Sequence, residues 1–210
     1  FPKIACFGIA GPIEKNNAKI TNLNWEVSEL KLRNYFHFEK VELINDFAVL
    51  IYGIKYLENK QFKTLQNKAS NIHKSESYHT IVGAGTGLGI SRGIISSTKI
   101  IVLPSEGGHI EFAPKTQEEW ELKQWLKNSL NIERVSYERI ISGEGLSNIA
   151  KWKFSKENVR DHPFNFLLKE AEESIIIKKS LAGRICQLAQ EGDPLMLEIE
   201  KLWFEAYSSF

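Results

Sequence analysis

The residue pattern predicts an α/β protein built in two lobes, and three observations carry that expectation. Short β-rich runs alternate with helix-like stretches through residues 1–58; a polar, lysine-rich segment at 59–78 interrupts them; helical patterning dominates from Gln117 onward. Strand–helix–strand–helix order favours parallel strands with helices packed on them. The resulting division is 1–58 for part of a small α/β lobe and 59–210 for part of a large one.

The elements follow in order. Ile4–Ile9 is β-rich and ends in A-G-P, a turn signal. Residues 19–23 read as a partner strand, joined to the first through I-E-K-N-N-A. Ser28 is placed to N-cap the helical S-E-L-K-L-R-N-Y-F. Residues 41–44 form the next short strand and 47–57 the next helix. Strands are expected at 80–82, 88–95 and 99–103, then helices from Gln117 and over 164–173, 175–191 and 194–207. Asp193-Pro194 is an N-cap followed by proline at the first helical position. Trp120 and Trp125 are expected as core anchors rather than ligand stackers.

Bulk properties exclude several classes. Apolar residues make up 42% and charged residues 25%, an ordinary globular composition. With 27 Lys+Arg against 26 Asp+Glu, the balance gives no electrostatic reason to invoke nucleic acid or an anionic membrane. The two cysteines, Cys6 and Cys186, lie far apart and outside any C-x-x-C, which favours a reducing, cytoplasmic setting. No apolar run reaches the ~18 residues of a membrane span, and no signal peptide is visible. The only methionine is Met196, and the chain opens directly on a strand and closes within a helical pattern, so it reads as an interior slice of a longer protein.

Two lobes imply a cleft, and the chemistry-bearing stretches are those that could line one. In E-K-V-E-L-I-N-D-F-A-V-L, residues 39–50, Asp46 sits between two apolar runs, a costly place for a carboxylate without a partner or a task. G-A-G-T-G-L-G, 83–89, sets four glycines directly after a strand. Clustered backbone N–H groups there suit phosphate, and Thr86 adds a hydroxyl. The spacing fits neither G-x-G-x-x-G nor G-x-x-x-x-G-K-[ST], and the residues that follow read as strand. The loop is therefore a strand–turn–strand phosphate clamp, or more simply a glycine-rich hairpin. In L-P-S-E-G-G-H-I-E-F-A-P, 103–114, Glu106 and His109 flank two glycines and suit vicinal hydroxyls, although a loop histidine is most often structural. Thr21 and Asn22 end a predicted strand, and Glu138 stands beside Arg139 in S-Y-E-R-I-I-S-G-E-G-L, where a solvated charge pair is the plainer account.

Taken in order and spacing, A-G-P-I…I-T-N-L-N-W, L-I-N-D-F-A, G-A-G-T-G-L-G, L-P-S-E-G-G-H-I-E-F-A-P and E-R-I-I-S-G-E-G-L resemble the bacterial-type glucokinases. The resemblance runs from about Ile4 to Leu146. It implies a two-lobed actin-like ATPase (ribonuclease H-like) fold, incomplete at both ends. It also implies ATP-dependent phosphorylation of glucose to glucose 6-phosphate, the first step of glycolysis. Asp46 corresponds to the general base that takes the proton of the sugar 6-hydroxyl. Asn45, Glu106, His109 and Glu138 correspond to ligands of the other hydroxyls, with Asn22 in a segment near the sugar. Gly83, Gly85, Thr86 and Gly87 correspond to the second phosphate loop. Mg²⁺ is expected with ATP, and no protein metal site is expected. The family often dimerises, so a homodimer is a candidate assembly.

Departures from the family pattern matter as well. The first phosphate loop, the adenosine-cradling glycine segment and the final returning helix have no counterpart here, so the isolated 210 residues are expected to be nearly inactive. Two alternatives remain open: a sugar kinase or sugar-responsive regulator of the ROK group, and a non-catalytic sugar-binding remnant. The ROK group usually carries a cysteine-rich zinc motif after E-x-G-H, whereas H-I-E-F-A-P-K-T has no cysteine.

Overall fold

The computed structural model describes residues 2–20, 23, 25–65, 76–156, 159 and 161–210. It is a mixed α/β structure that divides into two compact units, one made of 1–82 with 90–105, the other of 83–89 with 106–210.

In the first unit, β1 (Ile4–Ile9) and β5 (Lys40–Asn45) pair in parallel, with Ile9 opposite Asn45 at their C-terminal ends. Between them come β2 (Ile13–Glu14), β3 (Asn17–Lys19) and β4 (Glu26–Ser28), a small antiparallel sheet, and α1 (Glu29–Phe36). The strand here is 17–19, which pairs with β2 rather than β1; of the partner strand expected at 19–23, residues 21 and 22 lie outside the described residues, and 20 and 23 are not in a strand. Lys15 and Asn16 both take positive φ, which closes a two-residue hairpin, and the Asn17 side chain donates to the Lys15 carbonyl. Ser28 does occupy the N-cap of α1, without a side-chain cap bond. Glu29 from the first turn of α1 accepts the Leu43 amide of β5 at 3.0 Å. Ile9, Ala18, Val41 and Leu43 form the core here, with Phe7, Ile13, Val27, Leu32 and Phe38 packed against it.

α2 (Asp46–Gly53) leaves β5 with no intervening loop and ends in a 3₁₀ turn, Ile54–Tyr56, so the helix expected over 47–57 starts one residue earlier and tightens at Gly53. β6 (Glu76–Ala84), β7 (Leu88–Ser96) and β8 (Ile100–Ser105) form a sheet in that order, with β7 and β8 antiparallel. These match the three expected strands: the first is longer at both ends, the second gains one residue, and the third starts one residue later and ends two later.

The second unit is built on helices: α3 (Gln117–Leu130), α4 (Gly143–Phe154), α5 (Phe164–Glu173), α6 (Ile175–Gln190) and α7 (Pro194–Ser208). α4 is central and packs against α3, α6 and α7, and it buries eight of its residues from Gly145 to Phe154. Thr116 and Glu119 make a reciprocal capping box on α3. Asp193 caps α7 by accepting the Leu195 and Met196 amides at 3.0 Å, as the Asp-Pro signature predicts. Trp120 corrects the sequence reading: it is 50% exposed, and Leu122 and Leu126 fill the core instead. On a helix of 3.6 residues per turn, Leu122, Leu126 and the Lys123 stem define the inward face, and Trp120 falls off it. Lys153, drawn in beside Trp152, reaches Glu118 of α3 at 2.7 Å and Glu198 of α7 at 3.4 Å.

Both cysteines are free. Burial, reinforced by the Glu200 carboxylate, pushes the Cys186 thiol up to about 11, so it stays protonated at neutral pH. Among the described residues no helix is long and apolar enough to cross a membrane.

Candidate active site

The first unit sets Asn45 and Asp46 at the point where β5 becomes α2. Asn45 Oδ1 accepts the Phe47 amide at 3.0 Å and the Ala48 amide at 3.2 Å, a side-chain N-cap. Asp46 is the first residue of the helix, half-buried, and its Oδ1 also accepts from the Phe47 amide at 3.0 Å. A helix N-terminus is a favourable place for a carboxylate, and the C-terminal ends of parallel strands are where open α/β sheets present ligands. This accounts for an aspartate between two apolar runs. Leu43 on one side and Ala48 and Ile51 on the other are buried and hold the junction, while the carboxylate itself stays at the strand end.

The second unit gathers residues from three distant stretches. Glu106 and His109 bracket a 3₁₀ turn, Gly107–His109, with His109 Nδ1 at 3.4 Å from Glu106 Oε2. Glu138 stands on another 3₁₀ turn, Tyr137–Arg139, and puts Oε1 3.8 Å from His109 Nε2. Its Oε2 accepts the Leu88 amide at 2.9 Å, at the end of the glycine loop. The glycine loop thus shares a carboxylate with the Glu106–His109 turn. A Cβ on Gly87 would lie 2.5 Å from Glu138 Oε2, so only glycine lets that carboxylate approach.

The glycine loop is fixed from both sides. The Gly85 amide donates to the Gly87 carbonyl, and the Gly143 amide donates to the Gly85 carbonyl, each at 2.8 Å. Gly85 and Thr86 are exposed, and no atom lies within 4 Å of where a Gly85 side chain would begin, so the loop backbone can be approached closely. Gly83, half-buried, is the penultimate residue of β6, just before the turn.

Of the sequence-predicted residues, Gly83, Gly85, Thr86, Gly87, Glu106, His109 and Glu138 come together in the second unit, and Asn45 and Asp46 come together in the first. Asn22 lies outside the described residues. The solvated Glu138–Arg139 pair is not what forms: Glu138 turns to Leu88 and His109, and Arg139 reaches Glu144 at 3.4 Å.

Supports that motif reading missed surround the cluster. Arg134 donates to the His109 carbonyl at 2.7 Å. Ser142 donates to the Glu138 carbonyl at 2.6 Å and accepts the Gly145 amide at 2.9 Å, which makes it the N-cap of α4. Trp203 of α7 donates to the Ser142 carbonyl at 3.1 Å. A serine directly before G-E-G, residues 143–145, is a legible cap signal, whereas nothing in the sequence announces the Arg134 and Trp203 contacts.

Comparison with known proteins finds similarity along the whole chain. A family model described as glucokinase matches residues 1–210. The glucokinase of Nostoc sp. is 41% identical over 74% of this chain and 44% of its own length. That of Synechocystis sp. is 35% identical over 98% of this chain and 59% of its own. The chain therefore spans about half the length of the curated relatives it matches. Among solved structures, the Balamuthia mandrillaris glucokinase in complex with glucose is 25% identical, with a TM-score of 0.74 over 97% of this chain and 57% of that one. A glucokinase from an Antarctic psychrotroph is 27% identical, with a TM-score of 0.56 over 94% and 61%. With the match running the length of the chain and the motif residues gathered as described, this chain belongs to the glucokinase family.

Proposed function

We propose that the protein carrying this chain phosphorylates glucose at the 6-hydroxyl with ATP, on a two-lobed actin-like ATPase fold divided as 1–58 and 59–210. The observation that carries this is the single carboxylate, Glu138, held between the glycine loop and the His109 turn. A neutral polyol needs several donors and acceptors together, and Asn45, Glu106, His109 and Glu138 supply both kinds. Gly83, Gly85, Thr86 and Gly87 offer backbone and hydroxyl donors to phosphate. Asp46 is the general base.

The chemistry asks little else of the protein. In phosphoryl transfer the sugar oxygen bonds to the γ-phosphorus as its proton leaves, the bond from that phosphorus to the β,γ-bridging oxygen breaks and ADP departs, and catalysis is mostly positioning with charge stabilisation. Asp46 takes that proton, and the Asn45 cap keeps the helix start, hence the carboxylate, in place. Mg²⁺ supplies neutralisation of phosphate charge when bound. Among the described residues no group of three or more His, Cys, Asp or Glu could hold a metal ion, and an ion carried on nucleotide phosphates with most of its water asks for no such cage. Homodimer formation and a cytoplasmic setting belong to the same reading.

The test is Asp46→Asn in the protein as the cell makes it, assayed for glucose 6-phosphate. The amide keeps the shape and cannot accept the proton, so kcat falls by ~10²–10⁴ while the KM for glucose changes much less. A kcat equal to wild type would remove Asp46 from the role.

A further inference from the structure

Two stretches that the motifs treat separately meet at Leu88. Its amide donates to Glu138 Oε2 at 2.9 Å, and its carbonyl lies so close to Gly108 that an added methyl there would overlap it. The glycine loop and the 3₁₀ turn that presents His109 are therefore in backbone contact, and Glu138 spans the same junction by its side chain. Among the described residues the Glu138 carboxylate accepts one hydrogen bond, from Leu88; His109 Nε2, at 3.8 Å from Oε1, stands beyond hydrogen-bond length. One oxygen is fixed and the other is available.

We propose that Glu138 is a positioning residue that ties the His109 turn to the glycine loop, so that a sugar bound at Glu138 and His109 stiffens the phosphate-facing backbone at 87–88. The inference rests on the glucose reading above and adds a coupling between its two halves. A sugar hydroxyl donating to Oε1 holds the carboxylate at both ends and removes the side-chain rotation that a single bond permits. The Leu88 amide then opens less often, and a phosphate arriving second meets a backbone already ordered. By linkage the effect is reciprocal, so a bound nucleotide tightens sugar binding by the same factor.

Amide hydrogen exchange on the protein as the cell makes it tests this without nucleotide. Saturating glucose slows exchange at the Leu88 amide by about fivefold or more, the lower end of ordinary site-to-site coupling. In Glu138→Asp the carboxylate is one methylene shorter and cannot reach Leu88 and the sugar together. There the slowing drops below about twofold, while glucose still shifts the His109 ring signals at a higher concentration. Wild-type exchange at Leu88 that ignores glucose, with His109 signals that respond to it, overturns the coupling and leaves the sugar site standing. Full slowing retained in Glu138→Asp also overturns it. A folded chain with no signal responding to glucose overturns the sugar reading itself, and the coupling with it.

Discussion

Gly108→Ala offers the sharpest test of how the site is braced. Gly108 is buried in the Gly107–His109 turn, and an added Cβ would overlap the Leu88 carbonyl oxygen and sit 3.1 Å from the Leu88 Cβ and 3.2 Å from its carbonyl carbon. These are backbone atoms of a strand and the first side-chain atom fixed to it, not the loose end of a side chain. Relief therefore requires the turn to move by roughly 1 Å, and overpacking of this kind costs about 1–3 kcal/mol. His109, a proposed sugar ligand, is the last residue of that turn and must move with it, and a misplacement of about 1 Å at such a group can cost ~10²-fold. Urea unfolding gives the stability change and a glucose titration followed by tryptophan fluorescence gives the affinity. Gly183→Ala serves as the contrast: Gly183 lies inside α6, exposed, with no atom within 4 Å of its would-be Cβ, so alanine there stabilises by about 0.5–1 kcal/mol. Gly108→Ala with a wild-type midpoint and wild-type glucose affinity would refute the close contact between the turn and the glycine loop.

Two further expectations concern stability away from the proposed sugar ligands. The Ser91 hydroxyl on β7 is fully buried and, among the described residues, has no hydrogen-bond partner, so Ser91→Ala should raise the unfolding free energy by about 1 kcal/mol in a urea titration; a loss of that size would mean the hydroxyl is satisfied. Asp193 gives a pH dependence. Burial would raise its pKa, but the Met196 and Leu195 amides and the His162 imidazole at 2.9 Å outweigh that and hold it below the ordinary carboxylate range. Its contribution is thus fully present above the ordinary carboxylate pKa, about 4, and is lost as pH falls through the depressed value. Asp193→Asn keeps an N-cap acceptor without the charge, so the stability gap between the two proteins should narrow steadily below about pH 4. A gap constant from neutral pH down to acid unfolding would show that the charge contributes nothing.

Much of this was legible because the local rules agreed with one another. Asp193-Pro194, the alternation through β5 into α2 and the β-rich residues after the glycine loop each named their element, and each formed it. The errors arose where backbone conformation or packing, rather than residue type, decided the outcome. Trp120 looked like an anchor by type, but its helix turns Leu122 and Leu126 inward. The strand at 17–19 begins earlier than the expected start at 19 because two residues in left-handed conformation close the hairpin there, and Lys15-Asn16 is not a sequence that announces it. In the site, residue types were readable and their partners were not: nothing near Glu138 in sequence points to Leu88, fifty positions away.

The glycines explain why those partners could meet. Gly87 and Gly108 lie on either side of Leu88, and a side chain on the first would strike Glu138 and on the second Leu88 itself. Neither glycine is there for a positive φ; each is there because another part of the chain occupies the space. Behind them the support is helical and buried. Ser142 caps α4 while holding the Glu138 carbonyl, Trp203 holds Ser142 from α7, and α4 is the most enclosed helix of its unit. A carboxylate on a three-residue turn would by itself wander over several rotamers. Fixed to a capped, core-packed helix, it keeps one oxygen on the glycine loop, and its geometry is set by supports well behind it rather than by the turn alone.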